Sequence, residues 1–418
     1  MASSGRVGRL TRLPALPEFD PHAPASASGI FGPAPGDRGA LHDTPMLHLI
    51  FGLPGLYVIA RFIAPLPWRT GVRVAAALLV LVASQYHLAS RWSSGSPFSP
   101  EFPRAVVIAF NWAFGTLLLL AVLQLALDLL ALLTALARRH RTAIHRRARY
   151  AAGIVAMGLS AIGVSQALRV PPVKDVAIEV TGLPQAFEGY RILQLTDLHI
   201  SRLFDAPWTR AVVDDANRLG VDLVVVTGDL IDGTLEVRRA DVAPLGDLRA
   251  PDGVHVIPGN HEYFFGHPRW MDHFQGLGMK PLANGHTILT RGGARLVLAG
   301  VTDFSAPDAG LPGPDLGRAL AGAPAGVPVV LLDHQPRQAR RAAEQGVGLQ
   351  LSGHTHGGMI VGLDRLLALA NAGFVSGLYD VAGMSLYVNN GTALWPGFAL
   401  RLGRPSELTR ITLLRRKA

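Results

Sequence analysis

Apolar residues concentrate in the first half of the chain, in four runs separated by short polar links. The runs cover residues 46–66, 72–90, 105–127 and 150–168. Each approaches the roughly 20 residues that a helix needs to cross the hydrocarbon layer of a membrane. They predict an α-helical membrane domain over residues 46–170 with about four transmembrane helices; a buried helical core is the alternative. Residues 1–45, rich in Pro, Ala, Gly and Ser without a sustained period, predict a disordered N-terminal tail.

The pattern changes after about residue 170, where short β-rich runs alternate with amphipathic stretches. The β-rich runs cover residues 190–196, 221–227, 253–259, 294–301, 327–333 and 347–353. Helical candidates at 207–220 and 335–346 lie between them. Continuously apolar strands separated by helices predict a sheet that is covered on its faces. Residues 175–418 are therefore predicted to form one α/β domain.

Charge is divided unequally between the two halves. Residues 1–174 contain 17 Lys and Arg against 6 Asp and Glu, whereas residues 175–418 contain 22 against 24. The basic excess thus accompanies the apolar runs, where positive charge orients membrane helices. For this reason the net charge of +9 does not predict a nucleic-acid partner.

The link between the third and fourth runs, residues 138–149, has six arginines and no acidic residue. The positive-inside rule places such a link in the cytoplasm. The fourth run would then lead the remaining chain across the membrane. This predicts a multi-pass protein of the cell (inner) membrane whose C-terminal domain is extracytoplasmic.

Three polar residues, Asn111, Gln124 and Asp128, lie in or beside the third run. Polar groups inside membrane segments are functional candidates by default. A transporter would depend on Asp128, and a position of Asp128 at the membrane interface is the alternative.

Side chains with nitrogen or oxygen donors follow five of the six predicted strands. They are Asp197 and His199, Asp229, Asn260 with His261 and Glu262, His334, and His354 with His356. In α/β sheets, sites assemble at the carboxyl ends of strands. Singly each signal is weak, because a lone histidine such as His334 is more often structural than a ligand. Together they predict one site, where Gly228, Gly259 and Gly353 permit tight turns.

The donor types of this set indicate its chemistry. The chain has no cysteine, which excludes thiolate nucleophiles and cysteine-ligated metals. Imidazole together with carboxylate suits first-row divalent ions such as Mn, Fe, Zn or Ni. The donors are too many for one tetrahedral ion and suit two ions about 3.5–4 Å apart, bridged by a carboxylate. Such a pair activates water and neutralises phosphoryl oxygens during in-line displacement.

Five motifs resemble those of the calcineurin-like metallophosphoesterases: DLH, GDLID, GNHE, a histidine before Gln-Pro, and GHTHGG. The resemblance covers roughly residues 188–412. It implies a four-layer αββα sandwich around two divalent metal ions. It also implies that seven residues bind metal: Asp197, His199 and His356 the first ion, Asn260, His334 and His354 the second, and Asp229 both as a bridge.

Three further residues have implied roles without binding metal. His261 is implied to protonate the leaving oxygen or to stabilise the transition state. Asp232 and Glu262 also occur in the family pattern, and we interpret them as supporting residues.

The C-terminal sequence resembles the membrane-associated branch of the family, the transmembrane proteins with a metallophosphoesterase domain. The segments LSGHTHGG, LYVNNGT and RPSELTRITL are those that resemble it. The chain departs from this branch at Met359, where a glutamine is expected, and at residues 389–391. Neither departure falls on an implied ligand, so both bear on substrate specificity rather than on the chemistry.

The resemblance also suggests substrates. Some relatives of this branch cleave the diphosphate of a UDP-diacylglucosamine lipid A precursor, which makes a lipid-linked diphosphate one hypothesis. It conflicts with the predicted orientation, because that precursor lies on the cytoplasmic side. Another phosphoester of the cell envelope is the alternative substrate. The alternative function is a catalytically inactive membrane sensor or scaffold that uses the phosphoesterase fold.

Overall fold

A computed structural model describes residues 44–140 and 143–416, which form two compact units. The first, called here the helical unit, contains the described residues up to Arg169 together with Trp395–Leu402. The second, the α/β unit, contains Val170–Leu394 and the residues from Gly403 onward. The predicted tail, residues 1–45, lies outside the described residues except for its last two positions.

Five α-helices form the described part of the helical unit: α1 (Thr44–Val58), α2 (Thr70–Ser84), α3 (Tyr86–Ser94), α4 (Arg104–Arg138) and α5 (Arg146–Ala167). Within it, α4 and α5 are long and apolar enough to cross a membrane. The pair α2 and α3 would be a third crossing if its 55° bend lies within one span. The described residues therefore offer two crossings, or up to three, which is fewer than the four predicted.

The lower count has a local cause in each of the first two runs. The first run forms an apolar helix of fewer than 18 residues, Leu49–Ile63, whose last turn is π-helical. Pro65 and Pro67 follow at once, and proline cannot continue a helix because it lacks the N–H donor. The second run bends at Gln85, between α2 and α3. Hydropathy alone detects neither interruption.

The helical unit is apolar both inside and outside. Its core contains buried residues from several helices, among them Val58, Tyr86, Phe114, Leu117 and Ala156. Large apolar side chains are also exposed on its surface, including Leu79, Val122, Leu133, Leu136 and Ile154. Helices that are apolar all round suit burial in lipid.

An irregular segment, Trp395–Leu402, packs inside the helical unit and is held there by hydrogen bonds. The Asn111 side-chain amide donates to the carbonyl of Pro396 over 2.8 Å and accepts from the Ala399 N–H over 2.7 Å. The Tyr86 hydroxyl donates to the same Pro396 carbonyl over 2.7 Å. Non-helical backbone needs such partners in an apolar setting. Asn111, a functional candidate in the sequence, therefore anchors this segment.

The α/β unit contains two six-stranded sheets. The strands are β1 (Val173–Val180), β2 (Arg191–Leu195), β3 (Leu223–Thr227), β4 (Val254–Ile257), β5 (Lys280–Pro281), β6 (Gly285–Arg291), β7 (Ala294–Gly300), β8 (Val329–Leu332), β9 (Leu349–Ser352), β10 (Gly377–Val381), β11 (Met384–Val388) and β12 (Leu408–Arg415). The first sheet has the order β1-β12-β2-β3-β4-β5 and the second has the order β10-β11-β9-β8-β7-β6. The helices are α6 (Ala206–Arg218), α7 (Leu235–Val242), α8 (Asn260–Phe264), α9 (His267–Gly276), α10 (Leu316–Leu320), α11 (Ala339–Glu344) and α12 (Leu363–Ala370).

The main core of this unit lies between the two sheets. Ile192 and Val225 from the first sheet pack in one buried cluster with Leu298, Leu332 and Leu351 from the second. A further cluster packs α10 and α11 against the outer face of the second sheet. These layers confirm the predicted αββα class.

The six predicted strands form the two parallel centres of the sheets. In the first sheet β2, β3 and β4 are parallel neighbours, and in the second β7, β8 and β9 are. Both sheets contribute strand ends to one site. This placement follows from their alternation with helices, which returns each new strand in the same direction.

Candidate metal centre

The polar residues that follow the strands come together in one buried cluster. The loops after β2, β3 and β4 contribute Asp197 and His199, Asp229, and Asn260 with His261. The loops after β8 and β9 contribute His334, His354 and His356. All are buried except His354, which is partly exposed. The structure thus brings together every residue that the sequence assigned to the site.

Tight backbone turns aim these side chains at one another. Asp197, His199, Asp229, His354 and His356 all have positive φ, between 42° and 68°. Residues other than glycine rarely adopt this conformation, which costs of order 1–3 kcal/mol and tends to persist at functional sites.

Two of the predicted glycines leave room for carboxylates. A Cβ atom on Gly259 would collide with the carboxylate of Asp229, and one on Gly353 would collide with that of Asp197. Both carboxylates therefore lie against bare backbone.

The first group of potential ligands is Asp197, His199 and His356, whose donor atoms lie within 4.8 Å of one another. His356 Nε2 lies 3.6 Å from Asp197 Oδ1 and 3.3 Å from His199 Nε2. Two imidazole nitrogens facing each other beside a buried carboxylate need a proton or a cation between them.

The second group is Asp229, His334 and His354, again within 4.8 Å. The amide oxygen of Asn260 belongs to the same group, at 3.2 Å from His334 Nε2 and 3.0 Å from His354 Nδ1. Burial and the neighbouring His334 lower the pKa of His354 well below its usual value. His354 is therefore neutral, the form of imidazole that binds metal.

Asp229 lies between the two groups. Its Oδ2 atom is 3.2 Å from His334 Nε2 and 3.8 Å from His199 Nε2. Burial opposes ionisation of Asp229, but the nearby His334 and His261 lower its pKa well below its usual value. An ionised carboxylate that reaches both groups has the position that a bridging ligand needs.

His261 stands at the edge of the cluster and is held by Asp232. Its Nδ1 atom hydrogen-bonds to Asp232, and its Nε2 atom lies 4.0 Å from Asp229 Oδ2. Burial alone would lower the pKa of His261, but Asp229 and Asp232 raise it to about 9. His261 thus has a proton to donate at neutral pH. His199, Asp229 and His261 also satisfy the 4.8 Å limit, so the non-ligand role of His261 stays a prediction.

Asp232 and Glu262 hold the residues of the cluster in position without belonging to either group of potential ligands. Asp232 Oδ2 lies 3.1 Å from His199 Nδ1, so one carboxylate faces both His199 and His261. The Glu262 carboxylate accepts hydrogen bonds from the backbone N–H groups of Gly259, Asp229 and Leu230 over 2.7, 3.0 and 2.7 Å. It thereby ties the loop after β3 to the loop after β4.

Sequence reasoning missed one buried carboxylate beside the site, Asp303. It accepts two hydrogen bonds from the side-chain amide of Gln335, at 3.1 and 2.9 Å. Burial raises its pKa, against the opposing effect of the neighbouring His334. The signal was present in the sequence, because Asp303 follows the predicted strand 294–301 just as the other residues follow theirs.

The positions where the sequence departs from the membrane-associated branch lie near the loop that contains His356. Asn390 accepts a hydrogen bond from Ser376 over 2.6 Å, and its side chain fills the space beside Gly357. Asn389 is fully buried and donates to Thr409 over 2.9 Å. Both asparagines thus bond to the protein framework. Met359 is partly exposed and has a φ of 59°.

The residues present fit divalent metal ions. Two buried carboxylates and several imidazoles bring their donor atoms together in two groups, and Asp229 of the second group lies 3.8 Å from His199 of the first. Buried charges of this kind are paired or coordinate metals. The mixed nitrogen and oxygen donors suit first-row divalent ions.

Sequence comparison agrees with the fold and with this site. The family described as calcineurin-like phosphoesterase matches residues 190–358. The metallophosphoesterase YkuE of Bacillus subtilis is 30% identical over 238 residues, which cover 55% of this chain and 81% of that protein. The chain belongs to the calcineurin-like phosphoesterase family.

Membrane-associated relatives are also similar. The bovine "Transmembrane protein with metallophosphoesterase domain" is 36% identical over 267 residues, 61% of this chain and 60% of the relative. The protein of the same name from Danio rerio is 34% identical over 269 residues, 62% and 61% respectively. The chain thus spans about 60% of the length of these relatives.

Proposed function

We propose that this protein is a membrane-anchored hydrolase that cleaves a phosphoester or diphosphate with water at a two-metal centre. The observation that supports it best is the pair of ligand groups at the strand ends, with Asp229 in one group and its Oδ2 atom 3.8 Å from His199 Nε2 of the other. Anchoring is supported by the apolar helices α4 and α5.

Seven residues would hold the two ions: Asp197, His199 and His356 the first, Asn260, His334 and His354 the second, and Asp229 both. When bound, the ions supply Lewis-acid activation of water and neutralise phosphoryl oxygens. Mn, Fe, Zn and Ni all suit this donor set.

The chain's own residues contribute a proton donor and hold that donor in position. His261, whose Nε2 atom lies 4.0 Å from Asp229 Oδ2, can donate a proton from this nitrogen to a leaving oxygen. Asp232 holds Nδ1 of the same ring, which fixes its orientation and keeps the donating nitrogen on the cluster side. Glu262 keeps the Asp229 and Asn260 loops in register.

Hydrolysis of a simple substrate tests this proposal. The purified full chain, loaded with Mn²⁺, should hydrolyse p-nitrophenyl phosphate or its bis ester. His354→Ala should abolish turnover, because it removes a ligand of one ion. His273→Ala is the matched control, since His273 lies on α9 outside the site, and it should keep wild-type activity. A folded wild type that is inactive with each metal and both substrates would overturn the proposal.

An inactive sensor or scaffold is the second candidate function. It predicts that the protein binds metal and membrane but turns over no substrate. The presence of His261, held by Asp232 beside the seven potential ligands, favours the enzyme, because metal binding alone needs no proton donor. Metal analysis combined with a panel of monoesters, diesters and lipid diphosphates separates the two.

The substrate can be proposed only as a class. A lipid-linked diphosphate, such as the UDP-diacylglucosamine precursor, rests on the resemblance alone, and the relatives' names give it no support. The panel decides it: preference for the lipid diphosphate over a soluble diphosphate is the result that this hypothesis requires.

The orientation in the membrane is proposed from charge. By the positive-inside rule, we expect the arginine-rich residues 138–149, between α4 and α5, to lie in the cytoplasm and the α/β unit to lie on the opposite side. A reporter that functions only outside the cytoplasm should be active when it is fused after Ala418. Activity of a cytoplasm-only reporter at this position would reverse the orientation.

A further inference from the structure

The helical unit contains a cavity of about 300 Å³ that the proposed reaction does not use. It is lined by Arg61, Pro65, Ala131, Ala143, Ile144, Arg146 and Arg149. Three of the seven lining residues are arginines, and none of the seven is acidic. Arg61 comes from the π-helical turn after α1, whereas Arg146 and Arg149 lie in the first turns of α5.

The positive charge around this cavity is only partly balanced. The guanidinium of Arg61 pairs with Asp128 through two hydrogen bonds, of 2.9 and 3.1 Å. Arg149 is 92% buried, and it donates hydrogen bonds to two neutral oxygens: the Gln124 side chain over 3.2 Å and the backbone carbonyl of Arg61. Among the described residues, three cations thus face the cavity with one carboxylate nearby.

A buried guanidinium without a charged partner costs free energy that an anion would offset. Planar guanidinium groups match the oxygens of phosphate, and charge-assisted bonds of this type are the strong ones. The cavity is at the lower end of the size range of small-ligand sites, about 300–1,000 Å³, which suits a phosphate group with a small substituent.

The surroundings indicate where such a phosphate would come from. Ala131 lies on α4 among apolar side chains that are exposed: Leu129, Leu130, Leu132 and Leu133. Acyl chains could pack on that surface while a headgroup enters the cavity. Free phosphate has the same recognition chemistry.

We propose that this arginine-lined cavity binds a phosphate group, presented by an anionic lipid headgroup or as free phosphate. The site is separate from the candidate metal centre, because all its lining residues belong to the helical unit. The lipid source rests on the proposed membrane location.

The test uses the full chain, delipidated in neutral detergent and with metal removed by chelation. Dioleoylphosphatidylglycerol, dioleoylphosphatidylcholine and inorganic phosphate are added separately, and the unfolding temperature is measured. A ligand that binds the native state raises this temperature, and at equal concentration a tighter ligand raises it more. Phosphatidylglycerol should raise it more than phosphatidylcholine, whose choline cation is repelled by the arginines.

Variants locate the binding. Arg146→Gln should weaken phosphatidylglycerol binding about tenfold or more, since a bond to a charged group contributes roughly 1.5–3 kcal/mol. Arg147→Gln is the matched control, because Arg147 is exposed on the same helical turn and does not line the cavity. Arg149→Gln should have the larger effect if it folds, and Arg146→Gln keeps the test valid if it does not.

Each outcome is decisive. A shift with phosphatidylglycerol alone assigns the lipid headgroup, and a shift with phosphate as well shows that the free anion suffices. No shift with either anion, or equal shifts in wild type, Arg146→Gln and Arg147→Gln, overturns the proposal. Hydrolysis of p-nitrophenyl phosphate by metal-loaded samples of the same proteins tests the proposed function independently, because Arg146 is not part of that site. Flotation with liposomes tests the membrane location.

Discussion

Asp232 shows how one buried side chain can position two others. It faces Nδ1 of both His199 and His261, and it is fully buried. Asp232→Asn removes the negative charge while keeping the shape of the side chain. We expect activity to fall about 10–100-fold, the usual effect of losing the partner of a metal-site histidine.

Three measurements distinguish positioning from a general structural effect of Asp232→Asn. Its unfolding temperature should stay near that of wild type, while kcat falls and the pH profile of kcat changes. Asp272→Asn on the exposed side of α9 is the control and should match wild type. Equal kcat and pH profile in Asp232→Asn and wild type would remove Asp232 from the mechanism.

His267 makes stability depend on pH outside the metal site. Its ring stacks on Tyr263 with centroids 4.3 Å apart, and burial lowers its pKa to about 4. Between this value and its unfolded pKa of about 6.5, the unfolded chain binds more protons, so stability is lost as the pH falls. We expect His267 to lower the free energy of unfolding by on the order of 2 kcal/mol by pH 4, after allowance for the partial exposure of its ring.

His267→Phe tests this dependence, since phenylalanine keeps the stack and does not titrate. Between pH 7 and pH 4.5, the unfolding temperature of the variant should fall less than that of wild type. Parallel pH dependence in the two proteins would show that His267 does not contribute.

The sequence predicted the residues of the site better than their supports. Asp197 and His354 could be recognised because each follows an apolar strand, and strand ends converge. Asp303 follows its strand as the other residues do but is the lone donor there and was not assigned to the site, and Asp232 was recognised only from the family pattern, without its partners. Asp232 faces His199 and His261, and Asp303 bonds to Gln335, and only the folded backbone determines these partners.

At the scale of elements, the segment Trp395–Leu402 depends on Asn111 for its place among the helices. Asn111→Leu would leave the Ala399 N–H without its side-chain acceptor and weaken the support of the Pro396 carbonyl. Each buried group left unsatisfied costs about 1–3 kcal/mol. We therefore expect a clear fall in the unfolding temperature of the detergent-solubilised chain.

Thr134→Leu is the control for Asn111→Leu. Thr134 is a polar residue of the same helix, and among the described contacts its hydroxyl donates to the Leu130 carbonyl of that helix. It should unfold close to the wild-type temperature. If Asn111→Leu did the same, the hydrogen bonds to the segment would contribute nothing measurable.

The segment also shows where prediction from sequence ends. The six central strands were visible as apolar runs, since burial on both faces removes polar positions. The return of Trp395–Leu402 to the helical unit has no such signature, because it depends on partners far away in the chain, such as Asn111. The bend at Gln85 leaves no trace in hydropathy either, and four apolar runs therefore overestimated the number of spans.

At the scale of the whole molecule, the two units have separate chemistry. The α/β unit contains the candidate metal centre, and the helical unit contains the arginine-lined cavity and the apolar surface. Charge divides in the same way, with the basic excess in the first 174 residues. The division fits a hydrolase whose helices hold it at a membrane.

The central claim is that two metal ions at the strand ends make this chain a phosphoesterase. The most direct measurement is the rate of bis(p-nitrophenyl) phosphate hydrolysis while the metal-free full chain is titrated with Mn²⁺. The account predicts no hydrolysis without metal, a rise that saturates at two ions per chain, and no rise in Asp229→Asn, which lacks the bridging charge. Saturation at one ion, or two bound ions without hydrolysis, would contradict it.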